Sequence, residues 1–387
     1  MTCPPLMGLA RLTRRVYHET DVQSLNDDLL ARLQANEDDA HAWLDLSLLA
    51  TLRFQHELAR SARHVALSLQ NRYTLDSEQP AQMSLLAVLA PGDLMANTPL
   101  EFLLEHSAIT LHLLYLRTID DLCEPLPAHD VLFVAVGESD QNRPLLEALA
   151  ERLRDWPKPV INRPEYILET SRDRACALLA DIPGVLIPET ACLHRSLLPR
   201  LMEDLTQVLI VRPIDSHAGH HLEKLSRISD VQDYLEEVPD EWFYVSSFID
   251  YSGTDGRFRK YRIVLLGEQS YAGHLAISEH WMVHYLNAGM TESAEKRAEE
   301  ARFMACFDTD FAVRHAQALA DILHRTRLDY LILDCAELAD GTLLIFEIDT
   351  SAVLHDMDDA EHFAYKHKPM NTLFTAFQGF LLAKAAF

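Results

Sequence analysis

Tyr330-Leu331-Ile332-Leu333-Asp334-Cys335-Ala336-Glu337-Leu338 and Leu343-Leu344-Ile345-Phe346-Glu347-Ile348 are two apolar runs joined by Ala339-Asp340-Gly341-Thr342, the pattern of a β-hairpin. Asp334 stands inside the first run, and Glu347 and Asp349 close the second. Side chains two apart on a strand leave the same face, so Glu347 and Asp349 share one, and an antiparallel partner can bring Asp334 alongside. Three carboxylates on a face otherwise built of Leu, Ile and Phe repel one another unless a divalent cation sits among them. Hard oxygen donors of this kind suit Mg²⁺, or Mn²⁺ in its place, and Mg²⁺ in turn recruits nucleotide phosphates. The bland alternative is a solvated sheet face with unrelated acids. On the metal reading, replacing Glu347 by Gln should leave the metal-free protein as stable as before or more so, because a like-charge repulsion is relieved.

Upstream lie basic groups of the kind such a site needs. Arg174 falls in the helical stretch Arg172 to Leu179, Arg212 ends the apolar strand Val208 to Val211, and Arg262 lies inside the strand Tyr261 to Leu266. A planar guanidinium at a strand end beside a small-residue loop binds two phosphate oxygens at once, although each of these arginines taken singly is more often a surface ion-pair partner. Trp242 to Ile249 is a further strand, Glu292 to Phe307 and Phe311 to Arg325 are helical, and Met370 to Ala386 is a closing amphipathic helix. Histidines cluster at His217, His220 and His221 and at His274, His280 and His284, without a fixed metal-ligand spacing. Cys335 should point to the opposite face from Asp334, into the core. His355-Asp356-Met357-Asp358 either borders a pocket for an amine or caps its own loop.

Before Pro157 and Pro159 the pattern differs. Met83 to Ala90 and Val131 to Val136 are apolar runs of the kind buried parallel strands show, and Leu111 to Leu116 is a third candidate. Val131 to Asn142 leads through a small-residue loop into the helix Pro144 to Arg154, which reads either as a ligand shelf or as an ordinary βα turn capped by Asp140 or Asn142. The first ~75 residues read as helix throughout. Asp38 to Leu46 and Leu58 to Leu69 resemble one tetratricopeptide unit with Trp43 and Leu46 inward. They form either a hairpin packed on the next domain or a peptide-docking surface. Stacked repeats normally need about three copies, and no clear second copy follows.

The chain has 387 residues, too many for one ordinary domain. Its 48% hydrophobic and 24% charged residues exclude a disordered low-complexity chain. Against 34 Lys and Arg stand 59 Asp and Glu, a net charge of −25. Nucleic-acid or anionic-membrane binding would therefore need a basic patch, and the sequence contains none. No apolar run reaches the ~18 residues of a membrane span. Met1 to Arg15 places its arginines after a Pro-broken apolar stretch, the wrong order for a secretory signal. The six cysteines never fall as C-x-x-C, which excludes a zinc ribbon and fits a reducing cytoplasm. Neither the dinucleotide glycine fingerprint nor the Walker A loop occurs.

Taken in order, residues 160–360 resemble the ATP-grasp superfamily, in the branch of the glutathione synthetases and ribosomal-protein glutamate ligases. Val160 to Pro164, Ser171-Arg172-Asp173-Arg174 and Ile187-Pro188-Glu189-Thr190 resemble the family's linker, first basic residue and following turn. Val211 to Gly219 resembles the strand and glycine loop over the ATP phosphates, with Arg212 where lysine is usual. The resemblance implies an α/β architecture: a helical cap (residues 1–78), an α/β pre-grasp domain (79–159) and the ATP-grasp lobes (160–387). It implies ATP and Mg²⁺ as cofactors and an amino-acid or peptide substrate. Arg174, Arg212, Ser216 and Gly219 would contact phosphates, and Tyr244, Val245 and Ser246 would read adenine through the hinge backbone. Arg262, with His284 or Asn287, would act on the transferred phosphate and acyl intermediate. Asp334, Glu347 and Asp349 would hold the metal, Asp349 replacing the usual asparagine. The implied activity is carboxylate–amine ligation through an acyl phosphate. The alternatives are a small-molecule kinase and a nucleotide-sensing peptide-binding protein.

Overall fold

The computed structural model describes residues 4–18, 22–204, 207–216 and 219–386. His217, one of the histidines singled out above, and Cys3 lie outside them. The described residues form a mixed α/β protein with three sheets and four leading helices. It forms two compact units rather than three consecutive ones: residues 1–137, 144–167 and 350–387 make the first, and 138–143 with 168–349 the second.

The first unit opens with α1 (Leu9–His18), α2 (Val22–Ala35), α3 (Ala40–Leu52) and α4 (His56–Leu69). Leu12, Leu25, Leu29, Leu33, Leu46 and Leu49 pack into one core, with Trp43 partly buried against it. Asp39 caps α3 by accepting the Ala42 N–H at 3.0 Å, which meets one of the four donors a helix start leaves unpaired. Helix does not continue to residue 75. Arg72–Leu75 is strand β1, antiparallel to β3 (Ile109–Tyr115) at the edge of a sheet ordered β1-β3-β2-β4-β5. The remaining strands β2 (Met83–Leu89), β4 (Val131–Val134) and β5 (Val160–Ile161) are parallel. β4 is buried on both faces, as its unbroken apolar run requires. The closing helix is longer than its amphipathic signal, Ala360–Ala385, with a non-helical residue at Phe363. It packs Phe377 on Phe133, 6.1 Å between ring centroids.

The second unit has two sheets. One is antiparallel, ordered β7-β10-β8-β9: β7 (Thr190–His194), β8 (Leu209–Pro213), β9 (Glu223–Leu225) and β10 (Trp242–Ser247). Leu209, Val211, Phe243 and Val245 turn to a core shared with the helix Ile228–Glu237, so strand parity sends Arg212 and Tyr244 to the opposite face. The other sheet runs β12-β11-β13-β14-β6, from β6 (Val185–Leu186), β11 (Phe258–Leu266), β12 (Gln269–Ser278), β13 (Tyr330–Glu337) and β14 (Leu343–Asp349). The β13–β14 hairpin falls where the sequence predicts it. β12 has no counterpart in that reading.

Two carboxylates, Asp45 buried and Glu101 half-buried, fasten the start of α1. Asp45 accepts the Met7 and Gly8 N–H groups at 3.0 and 2.9 Å, and Glu101 accepts that of Ala10 at 3.2 Å. Gly8 has φ +82, and a Cβ there would stand 2.5 Å from Glu101 Oε2, so only glycine lets the carboxylate approach. Burial pushes the Glu101 carboxyl up to about 7, against the pull of the Ala10 N–H, and that of Asp45 up to about 6. A group raised in the folded state binds its proton there before the unfolded chain does, so its contribution is full at low pH and is lost as pH rises. Relative to Glu101→Gln, the wild type should therefore lose about 1–3 kcal/mol between about pH 4.5 and about pH 7.5. Urea melts at both ends of that window test this, and a difference between the two proteins that does not change with pH refutes it.

Candidate functional site

The register of the second unit's larger sheet builds the site. β12 pairs His274 with Arg262, β11 pairs Arg262 with Asp334, and β13 pairs Asp334 with Glu347. The four side chains thus form one row across four adjacent strands. Lys260 lies two residues before Arg262 and Asp349 two after Glu347, each on its neighbour's face.

Asp334 is only 2% exposed. It accepts from Arg262 Nε at 2.8 Å, Arg262 Nη2 at 2.9 Å and Lys260 Nζ at 2.9 Å. Burial works to raise its carboxyl, but the Arg262 and Lys260 charges outweigh it and hold the group well below the usual carboxylate range. Glu347 accepts Arg172 Nη2, while Arg172 Nη1 donates to the Phe346 carbonyl at 3.2 Å. Burial again opposes ionisation of Glu347, and Arg172 is the largest influence keeping it charged. Asp334 still repels Glu347, but the carboxylates are not left uncompensated as the sequence alone suggests: Asp334 and Glu347 each have a cation bound to them.

The two sheets of this unit bring their charges together. Arg212 donates through Nε to Ser216 Oγ at 3.0 Å and through Nη2 to the Ser216 carbonyl, and Ser216 Oγ donates to the Pro213 carbonyl at 2.8 Å. Burial and the neighbouring Arg172 push the Arg212 guanidinium down, while Glu347 acts the other way. Gly219 has φ +77, and a Cβ there would meet Met282 Sδ at 2.9 Å, so this loop position needs glycine. His284 is half-buried, and burial with the Lys260 and Arg262 charges lowers its pKa. Its segment is tied to the helix Ala294–Cys306 through Tyr285 Oη, which donates to Glu300 Oε2 at 3.0 Å, and Lys296 Nζ, which donates to the Ala288 carbonyl at 2.8 Å.

Arg262, His284, Arg212, Asp334, Glu347 and Asp349 thus act on one another electrostatically, with Ser216 held by Arg212 and Gly219 against Met282. Other residues depart from their expected roles. Arg174 pairs with Glu169 at 3.3 Å, and Arg172 takes the place at Glu347. Two residues apart on a helix point to nearly opposite sides, so only one of the pair can face the sheet. Asn287 is exposed and accepts the His284 N–H through Oδ1 at 3.0 Å, which makes it a turn cap. Tyr244, Val245 and Ser246 lie in the middle of a central strand, paired with Cys192 to Thr190 on one edge and Arg212 to Ile210 on the other. Their backbone is committed to the ladders, and the hinge-backbone role does not fit them. Lys260 could have been found from strand parity with Arg262, and Arg172 from helix parity with Arg174. His274 needed the β11–β12 register.

The shelf reading divides. Asn142 N–H donates to Ser139 Oγ at 3.0 Å, so Ser139 caps the turn in place of Asp140 or Asn142. Beside it, burial pushes Glu138 up to about 7 despite its Arg143 partner at 2.8 Å, with Asp215, Asp140 and Asp173 adding to the rise. In the first unit, His355 packs its ring against Tyr17 and Phe102, and Asp356 pairs with Arg14 at 3.1 Å. Cys335 is fully buried, as expected.

Three carboxylates around the β13–β14 hairpin are an oxygen donor set of the kind Mg²⁺ takes, so the residues fit that ion chemically. Their oxygens are not gathered. Among the described residues, the group of potential ligands whose atoms all lie within 4.8 Å of one another is Asp359, Glu361 and His362, elsewhere in the fold.

No protein-family model matches the chain, and no curated protein does. Solved structures are similar in fold. The VanG D-Ala:D-Ser ligase from Enterococcus faecalis is 10% identical, with 76% of this chain and 99% of that one covered and a TM-score of 0.47. The RimK domain protein ATP-grasp from Sphaerobacter thermophilus is 12% identical, with 76% and 98% covered and a TM-score of 0.44. The ATP-grasp ligase PsnB, solved with a precursor peptide and AMPPNP, is 15% identical, with 80% and 100% covered and a TM-score of 0.42.

The paired charges reverse one expectation. Asp334→Asn should leave Lys260 and Arg262 uncompensated and cost the ligand-free protein about 3–5 kcal/mol. Glu347→Gln should cost less, about 1–2 kcal/mol, because Glu347 and Arg172 remain partly in water. Denaturant melts of both variants without nucleotide or metal measure this, and unchanged or raised stability would restore the repulsion picture.

Proposed function

We propose that the second unit binds ATP and that the protein is an ATP-dependent carboxylate–amine ligase acting on an amino acid or peptide. The observation that carries this is the row Arg262–Asp334–Glu347, set among Lys260, Arg172 and Arg212. A surface ion-pair lattice has no need to bury an aspartate behind two cations while Arg212 acts from another sheet and Arg172 from a helix. A site that must receive several phosphate charges together with a divalent cation does need both signs of charge at close range.

In this reading Asp334, Glu347 and Asp349 would hold Mg²⁺, which supplies charge neutralisation between phosphates when bound. Arg212, at the end of β8, holds the following loop through Ser216, and that loop with Gly219 would cover the phosphates. Arg262 lies between His284 and Asp334 in influence, and its guanidinium would neutralise negative charge spreading over the phosphoryl group as it passes from ATP to the substrate carboxylate. The γ-phosphoryl bond to ADP breaks as the carboxylate oxygen bonds to phosphorus. The amine then attacks the acyl carbon, inorganic phosphate leaves, and the amine's proton goes to solvent or a nearby base. His284, whose pKa burial and the Lys260 and Arg262 charges lower, would be the nearby base for that proton. No serine or cysteine nucleophile is required.

Two measurements test the proposal. Nucleotide at about 100 times its dissociation constant should stabilise the protein by about 2.7 kcal/mol, and more with Mg²⁺ present. An unmoved melting temperature under saturating ATP and Mg²⁺ sinks nucleotide binding. In a screen of amino acids and peptides read by mass spectrometry, a ligase releases ADP and inorganic phosphate together with an amide. ADP with a phosphorylated product would mean a kinase, and no turnover a nucleotide-sensing protein. Glu347→Gln should abolish whatever turnover is found, and retained turnover removes Glu347 from the site.

A further inference from the structure

Arg172 occupies one of the carboxylates that the proposed site assigns to the metal. It opens the helix Arg172–Leu179, and its guanidinium is held by Glu347 and the Phe346 carbonyl. Glu347 cannot give its oxygen freely to a divalent cation while a guanidinium occupies it. Asp334 is in the same position, with Lys260 and Arg262 on both oxygens. The four cations Lys260, Arg262, Arg172 and Arg212 face the three carboxylates Asp334, Glu347 and Asp349. Adding a bare divalent cation would raise an already positive sum and strand Arg172 beside Arg212, whose guanidinium it disfavours. Adding a polyphosphate first reverses that balance.

The start of the same helix offers the alternative partner. Ser171 stands at its N-cap position without capping it, is 2% exposed, and its Oγ is buried with no hydrogen-bond partner among the described residues. A buried hydroxyl without a partner costs free energy that an incoming acceptor would recover. The helix start also presents unpaired backbone N–H groups to an anion. A phosphate there would meet Ser171 Oγ, the first N–H groups and the Arg172 fork together.

We infer that Arg172 is an exchange residue: it holds Glu347 while the nucleotide is absent and passes to a nucleotide phosphate on binding, which frees Glu347 for the metal. The inference rests on the nucleotide-site reading above and adds an order to it, with the metal following the nucleotide. By linkage the coupling is reciprocal, and couplings of this kind are worth roughly 5–150-fold.

The test is Mn²⁺ binding followed by electron paramagnetic resonance, with Mn²⁺ alone and with a non-hydrolysable ATP analogue. Wild type should bind Mn²⁺ alone weakly. Arg172→Gln should bind Mn²⁺ alone about 10-fold more tightly while binding the analogue less tightly, within the same coupling range. Arg172→Lys, which keeps the charge, should stay near wild type. Equal affinity of wild type and Arg172→Gln for Mn²⁺ alone would overturn the exchange while leaving the nucleotide site standing. Wild type that takes up neither Mn²⁺ nor the analogue in any combination would instead overturn the nucleotide-site reading itself. Circular dichroism checks that Arg172→Gln is folded. If it is not, Arg172→Met, which also removes the charge at Glu347, carries the same comparison, and no gain in binding Mn²⁺ alone there overturns the exchange.

Discussion

A carboxylate removed from water stays ionised only where positive charge or hydrogen-bond donors replace the water, and Asp334 shows how much of the second unit serves that one requirement. Its burial would neutralise it if Arg262 and Lys260 did not each give it a hydrogen-bonded positive charge. Those two residues reach it because β11 lies antiparallel to β13 in a register that sets Arg262 directly opposite. The same register, continued through β14 and β12, lines up Glu347 and His274. A slip of one residue would send the row to the other face, among Cys335, Leu333 and Ile263, where no charge could be tolerated. The apolar partners on that face therefore fix where the charges stand.

Charge pairing of this density has a functional side. A site balanced internally is stable without ligand, yet every bond holding the balance must be traded when a ligand arrives. Such a site favours ligands that bring both signs of charge, because these satisfy cations and carboxylates in one event. Arg212 illustrates the cost of the resting state: burial and the neighbouring Arg172 disfavour its charge, and Glu347 acts the other way. The first unit uses the same physics without a partner cation. Asp45 and Glu101 are met chiefly by backbone N–H groups, and burial raises their carboxyls against the pull of those bonds.

What the sequence by itself determined was periodicity. The hairpin of Tyr330 to Ile348, the buried parallel run at Val131 and the helix Arg172–Leu179 were legible because strand and helix periods are local, and a two-residue spacing places Glu347 and Asp349 on one face without reference to the rest of the chain. The α/β class, the alternation of Arg212 against a core strand and the burial of Cys335 follow from the same local rules. The gathering of candidate residues around the hairpin was legible only in outline, as a resemblance in order.

Tertiary structure decided the rest, because a partner across space has no signature in spacing. Which of Arg172 and Arg174 faces Glu347 depends on how a helix is rotated against a sheet. Whether Tyr244 to Ser246 offer backbone groups depends on their strand being central, paired with β7 as well as β8. Whether Asp334, Glu347 and Asp349 repel or rest depends on cations 70 and more residues away in the chain, Lys260 and Arg262 for the first and Arg172 for the second. A sequence shows which charges a protein carries. Only the fold shows which of them it has already spent on one another, since Coulomb energy depends on distance and burial and not on order along the chain.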